Sequence, residues 1–178
     1  MTPGWSITYP DLALEYYVLG RGGIFCSMHL VPANLFHHAI ELLLKYGLAA
    51  HGYTDEQLRK SFGHKIATLW DAFKQDVAQD PSLSAYDQTI RRLDKWESLR
   101  YPEDPEVGGG FRAVLSAGKV ARPPPDHRTE SYEMTLDEVD DLFALLVRLV
   151  GLERHVRIRL GFQEPREMYL RGNRHSLL

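Results

Sequence analysis

The sequence predicts a mainly α fold, an up-and-down helical bundle with a small β-hairpin appended after residue 110. Three observations predict it. The stretch PANLFHHAIELLLKYGLAAHG, from Pro32 to Gly52, carries Leu35, Phe36, Ala39, Ile40, Leu42, Leu43, Leu44, Tyr46 and Leu48 around most of a helix circumference. A helix apolar on nearly all sides belongs in the middle of a bundle. Three more segments of the first hundred residues repeat helical spacing. Beyond Tyr101 the texture changes to glycine and proline loops around short alternating runs, a strand pattern.

Taken in order, Asp11 follows Pro10 and can cap a helix through LALEYYVLGRGGIFCSMHL. Gly20, Gly22 and Gly23 lie inside that run without phosphate-loop spacing and with no strand before them, so they predict close approach of the next helix or a kink. Cys26, in the same apolar stretch, reads as a small buried hydrophobe. Pro32 is tolerated in the first turn of the central helix. Thr54 and Gln57 form a capping-box pattern over a short helix, which Phe62-Gly63-His64 interrupts. KIATLWDAFKQDV follows with Ile66, Leu69, Trp70, Phe73 and Val77 at helical spacing, and Pro81 ends it. SAYDQTIRRLDKWESLRYP makes another helix, burying Tyr86, Ile90, Leu93 and Trp96.

The EDPEVGGG loop opens the second half. FRAVLS and SYEMTL alternate and are expected to pair as the hairpin, joined by the proline loop ARPPPDH. Thr135 with Glu138 forms a second capping box, leading into LDEVDDLFALLVRLVGL, which Gly151 closes. HVRIRLGF alternates Val156, Ile158 and Leu160 against Arg157 and Arg159, so a last strand is expected, and the tail QEPREMYLRGNRHSLL is read as irregular. One domain spans residues 1–178, with a helical core over about 11–101 and 135–152, a hairpin insertion over about 108–134 and a basic section over 153–178.

Bulk properties exclude several function classes. An apolar fraction of 44% and a charged fraction of 25% are ordinary for a soluble domain. A single cysteine excludes a disulfide framework and a Cys-rich zinc site. MTPGWSITYPD is no signal peptide, and the most apolar window, 142–152, contains Arg148 and is too short to span a bilayer. The protein is therefore read as cytoplasmic, with no membrane partner. A net charge of −3 argues against tight nonspecific nucleic-acid binding. From Arg148 onward, however, seven arginines face Glu153, Glu164 and Glu167, a local balance of +4 against −7 for the rest. Such a section can dock on phosphate or on the acidic body of the same chain.

The candidate binding residues are the polar exceptions of the central helix. His37, Glu41 and Lys45 are spaced i, i+4, i+8, and His38 lies one turn before Glu41, so the four make one seam. His64, at the start of a later helix, is the fifth. His37 and His38 point about 100° apart. With no HExxH or Cys/His pattern, neither a metal nor another cofactor is expected.

Three segments together carry a resemblance: FHHAIELLLKYGLA from Phe36 to Ala49, Gly63-His64 followed by KIATLWDAF, and DQTIRRLDKWESLRYP ending in Arg100-Tyr101-Pro102. They resemble the HEPN superfamily (higher eukaryotes and prokaryotes nucleotide-binding domains), helical bundles with an Ala-x-Glu-x-x-Leu-Lys pattern on the second helix and a Gly-His-Asp-Leu-like start to the third. Lys65 stands where that pattern has Asp. The resemblance implies a homodimer built on a helical face. Many such domains are metal-independent ribonucleases of toxin–antitoxin or defence systems, with Arg, four to six residues and then His on the last core helix. Others bind a nucleotide, RNA or a partner protein without catalysis, or accompany a small nucleotidyltransferase or an antitoxin.

Arg59–His64, Arg122–His127 and Arg148–His155 all have the nuclease spacing, and only the last is associated with the late helix. In a nuclease, His155 would be the base for the 2′-hydroxyl, Arg148 the cation facing the phosphorane, and Glu41 the group orienting it. Gly151 between Arg148 and His155 departs from the pattern. The expectation is therefore a non-catalytic HEPN-like module, with the ribonuclease as the alternative.

Overall fold

A computed structural model of the chain describes residues 8–26, 28, 30–96, 111–116, 130–161, 163–173 and 175. The elements in chain order are α1 (Thr8–Phe25), α2 (Leu30–Ala50), a short α3 (Asp55–Gln57) running into a π-helical turn (Leu58–Phe62), and α4 (Ile66–Phe73), which also ends in a π-helical turn (Lys74–Ala78). A 3₁₀ segment (Pro81–Tyr86) leads into α5 (Asp87–Trp96). Then come β1 (Phe111–Ser116), β2 (Glu130–Thr135), α6 (Leu136–Leu149), α7 (Glu153–Arg159) and α8 (Gln163–Leu170). The mainly α bundle expected from the sequence is what forms.

α2 is the centre of that bundle, packing against α1, α4, α5 and α6. Its apolar residues Phe36, Ala39, Ile40, Leu43, Leu44 and Leu48 are all buried, together with the polar His37, Glu41 and Lys45. α1 lies antiparallel to it. A Cβ at Gly20 would stand 2.7 Å from the Phe36 ring, and one at Gly23 would stand 2.7 Å from Pro32. The glycines let the two backbones approach as the sequence suggests. Both capping boxes are present. Thr54 N donates to Gln57 Oε1 and Thr135 N to Glu138 Oε2, each at 2.8 Å, and each threonine hydroxyl accepts from the third helical N–H in return. Asp11 sits within the first turn of α1 rather than at its cap, because the helix starts at Thr8.

Four expectations need correction. The two strands pair in parallel, with Phe111 opposite Glu130 and Ser116 opposite Thr135, so they do not form a hairpin. Parallel pairing requires a crossover of about a dozen residues, and segment 117–129 is long enough to supply one. Within HVRIRLGF, His155–Arg159 are helical, not extended. Leu152, Val156 and Leu160, spaced by four, are buried, whereas Ile158 is 64% exposed. The apolar period that counts there is a helix turn, not a strand pleat. The tail is not wholly irregular either, since α8 brings Tyr169 to full burial. Cys26, finally, is exposed, lying just past the end of α1. The Arg122–His127 segment and the glycine loop lie outside the described residues.

A buried polar network pins the chain's end to α1. Arg21 and Asp140 form an ion pair with both side chains fully buried. Tyr17 donates its hydroxyl to Asp140 Oδ1 at 2.6 Å, and Asn173 Nδ2 donates back to that hydroxyl at 3.2 Å. Arg21 Nε donates to the Met168 carbonyl at 3.2 Å, and its Nη2 donates to the Arg171 carbonyl. Burial, and the charge of Asp140 beside it, push the Tyr17 hydroxyl well above its ordinary range, so it remains a donor. Its ring stacks on Phe143, centroids 3.7 Å apart.

Candidate functional site

Four side chains converge on Glu41, itself only 3% exposed. Lys45 Nζ, one turn on, donates to Glu41 Oε1 at 2.6 Å. His38 Nδ1, one turn back, lies 3.3 Å from Oε2. His64 Nδ1 arrives from outside the helix, 3.1 Å from Oε1 and 3.2 Å from Oε2. His37 Nε2 stands 3.9 Å from Oε2. The structure thus brings the four residues of the seam together with His64, the fifth candidate.

Local folding explains why His64 reaches this point. Gly63 has φ 57° and ψ −119°, a conformation that a residue with a Cβ rarely adopts. The turn directs the His64 carbonyl toward fully buried His37, whose Nε2 lies 3.1 Å from it. On the opposite edge of that ring, Nδ1 lies 3.0 Å from the Leu93 carbonyl on α5. Both oxygens only accept, so the ring is held between two backbone acceptors, one at each edge. His37 is therefore a tether between α2, α5 and the Gly63 turn. Its fixed carbonyl partner places the His64 side chain, 62% exposed, over Glu41.

Lys65, in the N-cap position of α4, makes no side-chain capping bond. Asp94 of α5 substitutes for it in part, its Oδ1 accepting from Ala67 N at 3.4 Å. A lysine side chain offers no acceptor to the first helical N–H groups, so part of this capping comes from another helix.

Burial by itself pulls the Glu41 carboxyl upward. The hydrogen bonds from His38, Lys45 and His64 and the Lys45 charge outweigh it, and the group falls from 4.5 to about 2. It stays ionised at every ordinary pH. The Tyr16 ring, half-buried, flanks the cluster with its centroid 5.6 Å from that of His38. Nothing in the sequence pattern marked Tyr16, because an aromatic in an apolar helix reads simply as core.

Arg148 and His155 are placed differently. Arg148 is exposed near the end of α6, and Gly151, at φ 71°, breaks the chain before His155 on α7. His155 Nε2 lies 3.2 Å from Asp11 Oδ1 on α1, and Arg159 Nε lies 2.8 Å from the same oxygen as an ion pair. Arg159 Nη2 adds a contact to Glu15 at 3.2 Å. The basic section thus docks in part on the acidic body. Neither Arg148 nor His155 is among the groups bonded to Glu41.

A shallow groove of about 360 Å³ lies elsewhere, lined by Asp71, Lys74, Gln75, Gln79, Asp80, Pro81 and Ser84. Lys74 there is already paired with Asp87 at 2.8 Å and Asp71 at 3.3 Å, so its charge is spent locally. Among the described residues no helix is long and apolar enough to cross a membrane. One group of three metal-type ligands occurs among them, His38, Glu41 and His64, with ligand atoms all within 4.8 Å of one another. Compared with family models, with curated proteins and with solved structures, the chain matches none.

Proposed function

We propose that the chain is a non-catalytic, dimeric HEPN-like module that binds a phosphate-bearing ligand, a nucleotide or RNA, over the Glu41 cluster. The observation that carries this reading is the convergence of Lys45, His38 and His64 on one buried carboxylate, with His64 presented to solvent. Lys45 and His38 already meet the carboxylate from its own helix, and His64 adds a third contact from a mostly exposed position. An exposed imidazole oriented by a buried carboxylate is a ready hydrogen-bond donor for a phosphate oxygen. Dimerisation is supported by the exposed Leu12 and Leu19, two turns apart on α1, with Met28 and Val31 just beyond it.

Calorimetric titration with ATP and with a short oligoribonucleotide tests the reading. Wild-type protein should bind one of them, and His64→Ala should bind it roughly tenfold to 100-fold more weakly, the loss of one charge-assisted hydrogen bond. Equal affinity in the two proteins would place the ligand elsewhere. The ribonuclease alternative draws on the Asp11–His155 contact, which resembles an acid-supported base. Metal-independent cleavage of the oligoribonucleotide, lost in both Arg148→Ala and His155→Ala, would replace the binding reading with that one.

A further inference from the structure

We infer that His38, Glu41 and His64 form a binding site for a divalent transition-metal ion of the zinc type. The sequence conceals this site because its ligands follow no local motif: two come from one turn of α2, and the third comes from beyond the Gly63 turn, 23 residues after Glu41. The geometry carries the inference. A tetrahedral zinc with bonds of about 2.0–2.1 Å has ligand atoms about 3.3–3.4 Å apart. Glu41 Oε2 lies 3.3 Å from His38 Nδ1 and 3.2 Å from His64 Nδ1, two edges of such a tetrahedron. The third edge, between one ring nitrogen of each histidine, lies within 4.8 Å. It closes by rotation of the His64 ring, which is mostly exposed and so has room to turn.

The surroundings also suit a metal. Lys45 holds Oε1, the oxygen not shared by both imidazoles, and so fixes the carboxylate plane with Oε2 turned to the ion. His37 fixes the backbone of His64. Two imidazole nitrogens and one carboxylate favour zinc, cobalt or nickel over magnesium or calcium, which prefer all-oxygen shells. Three protein ligands leave a fourth position open. With the ion bound, Glu41 and Lys45 cancel, leaving a net charge of +2 that would attract an anion to it. The inference concerns the cluster assigned above to phosphate recognition, but it stands on ligand geometry and holds whether or not a nucleotide binds.

The test is titration of the intact chain with Co²⁺ at pH 7.5 without nucleotide, followed by visible absorption, and with Zn²⁺ by calorimetry. One ion per chain is expected, with the intense d–d bands of a tetrahedral site. His64→Ala and His38→Ala should each weaken binding by roughly tenfold to 100-fold or more, whereas His51→Ala, whose ring only contacts the Gly47 carbonyl, should not. His64→Ala changes an exposed side chain and keeps the fold, which far-ultraviolet circular dichroism would verify. Absence of saturable binding by wild type, or equal binding by His64→Ala, would overturn the site. Because nucleotide is absent throughout, failure here leaves the phosphate-binding reading to its own titration.

Discussion

Replacing Glu41 by Gln keeps the volume and one acceptor oxygen and removes the charge, and its effect on stability should depend strongly on pH. The carboxyl stands at about 2 in the folded chain against 4.5 when unperturbed. At about 1.36 kcal/mol per unit, the difference amounts to about 3 kcal/mol. The folded value is depressed, so this contribution is fully present above the unfolded value and is lost as pH falls through the folded one. Between neutral pH and pH 4 the loss is about 1 kcal/mol, and by pH 3 about 2 kcal/mol, because the unfolded chain takes up the proton first. Urea unfolding of both proteins at pH 7, 4 and 3 reads these differences directly. Wild type should exceed Glu41→Gln by up to about 3 kcal/mol at pH 7, and the gap should shrink by the amounts given. A gap constant across that range would refute the reasoning, because the Glu41 charge would then contribute nothing.

Other substitutions probe the frame. Asp140→Ala leaves Arg21 buried without its carboxylate and should cost about 3–5 kcal/mol in urea unfolding, whereas Arg21→Met with Asp140→Leu, which removes both charges, should cost distinctly less. Gly47→Ala puts a methyl group against the buried Phe73 ring and 3.0 Å from Val150 Cγ1, and should destabilise by about 1–3 kcal/mol through overpacking despite the better helix propensity of alanine. Thr135→Ala removes the acceptor for Glu138 N and should lower stability by about 1 kcal/mol. Lys60→Ala breaks an exposed pair with Glu56, 2.6 Å apart, and should change stability by less than about 1 kcal/mol in the same assay.

The sequence disclosed the cluster because a helix converts spacing into proximity. His37, His38, Glu41 and Lys45 lie within nine consecutive residues, so a single periodicity brings them onto one seam. His64 was found through the Gly-His pattern, and its φ-positive glycine explains why that pair stands together. The backbone acceptors on His37 were not legible, since the carbonyls of Leu93 and His64 leave no mark in side-chain composition. Arg21 and Asp140 escaped for a different reason. They are 119 residues apart, and each looks like the solvated exception in its own helix. The strand assigned to HVRIRLGF shows how little an eight-residue run decides, because alternation and four-residue spacing share Val156 and Leu160. The strand segments themselves were legible, but their direction depends on the long connection rather than on either run.

The two buried polar clusters look alike by burial and differ in what their partners can do. Arg21 and Asp140 are satisfied by a tyrosine hydroxyl and by the carbonyls of Met168 and Arg171. Backbone partners of that kind cannot leave without unfolding the end of the chain, so the network ties α8 and its neighbours to α1. Around Glu41 the partners are side chains. One of them, His64, is mostly exposed on a ring that can turn while its backbone stays pinned by His37. Exchanging that imidazole's partner from Glu41 to an incoming ligand costs one hydrogen bond in a partly solvated site, about 1 kcal/mol, and leaves Lys45 and His38 to hold the carboxylate. A charge cluster that can surrender one member without losing the rest is suited to recognition. The Arg21–Asp140 network cannot, and its role is to hold the fold.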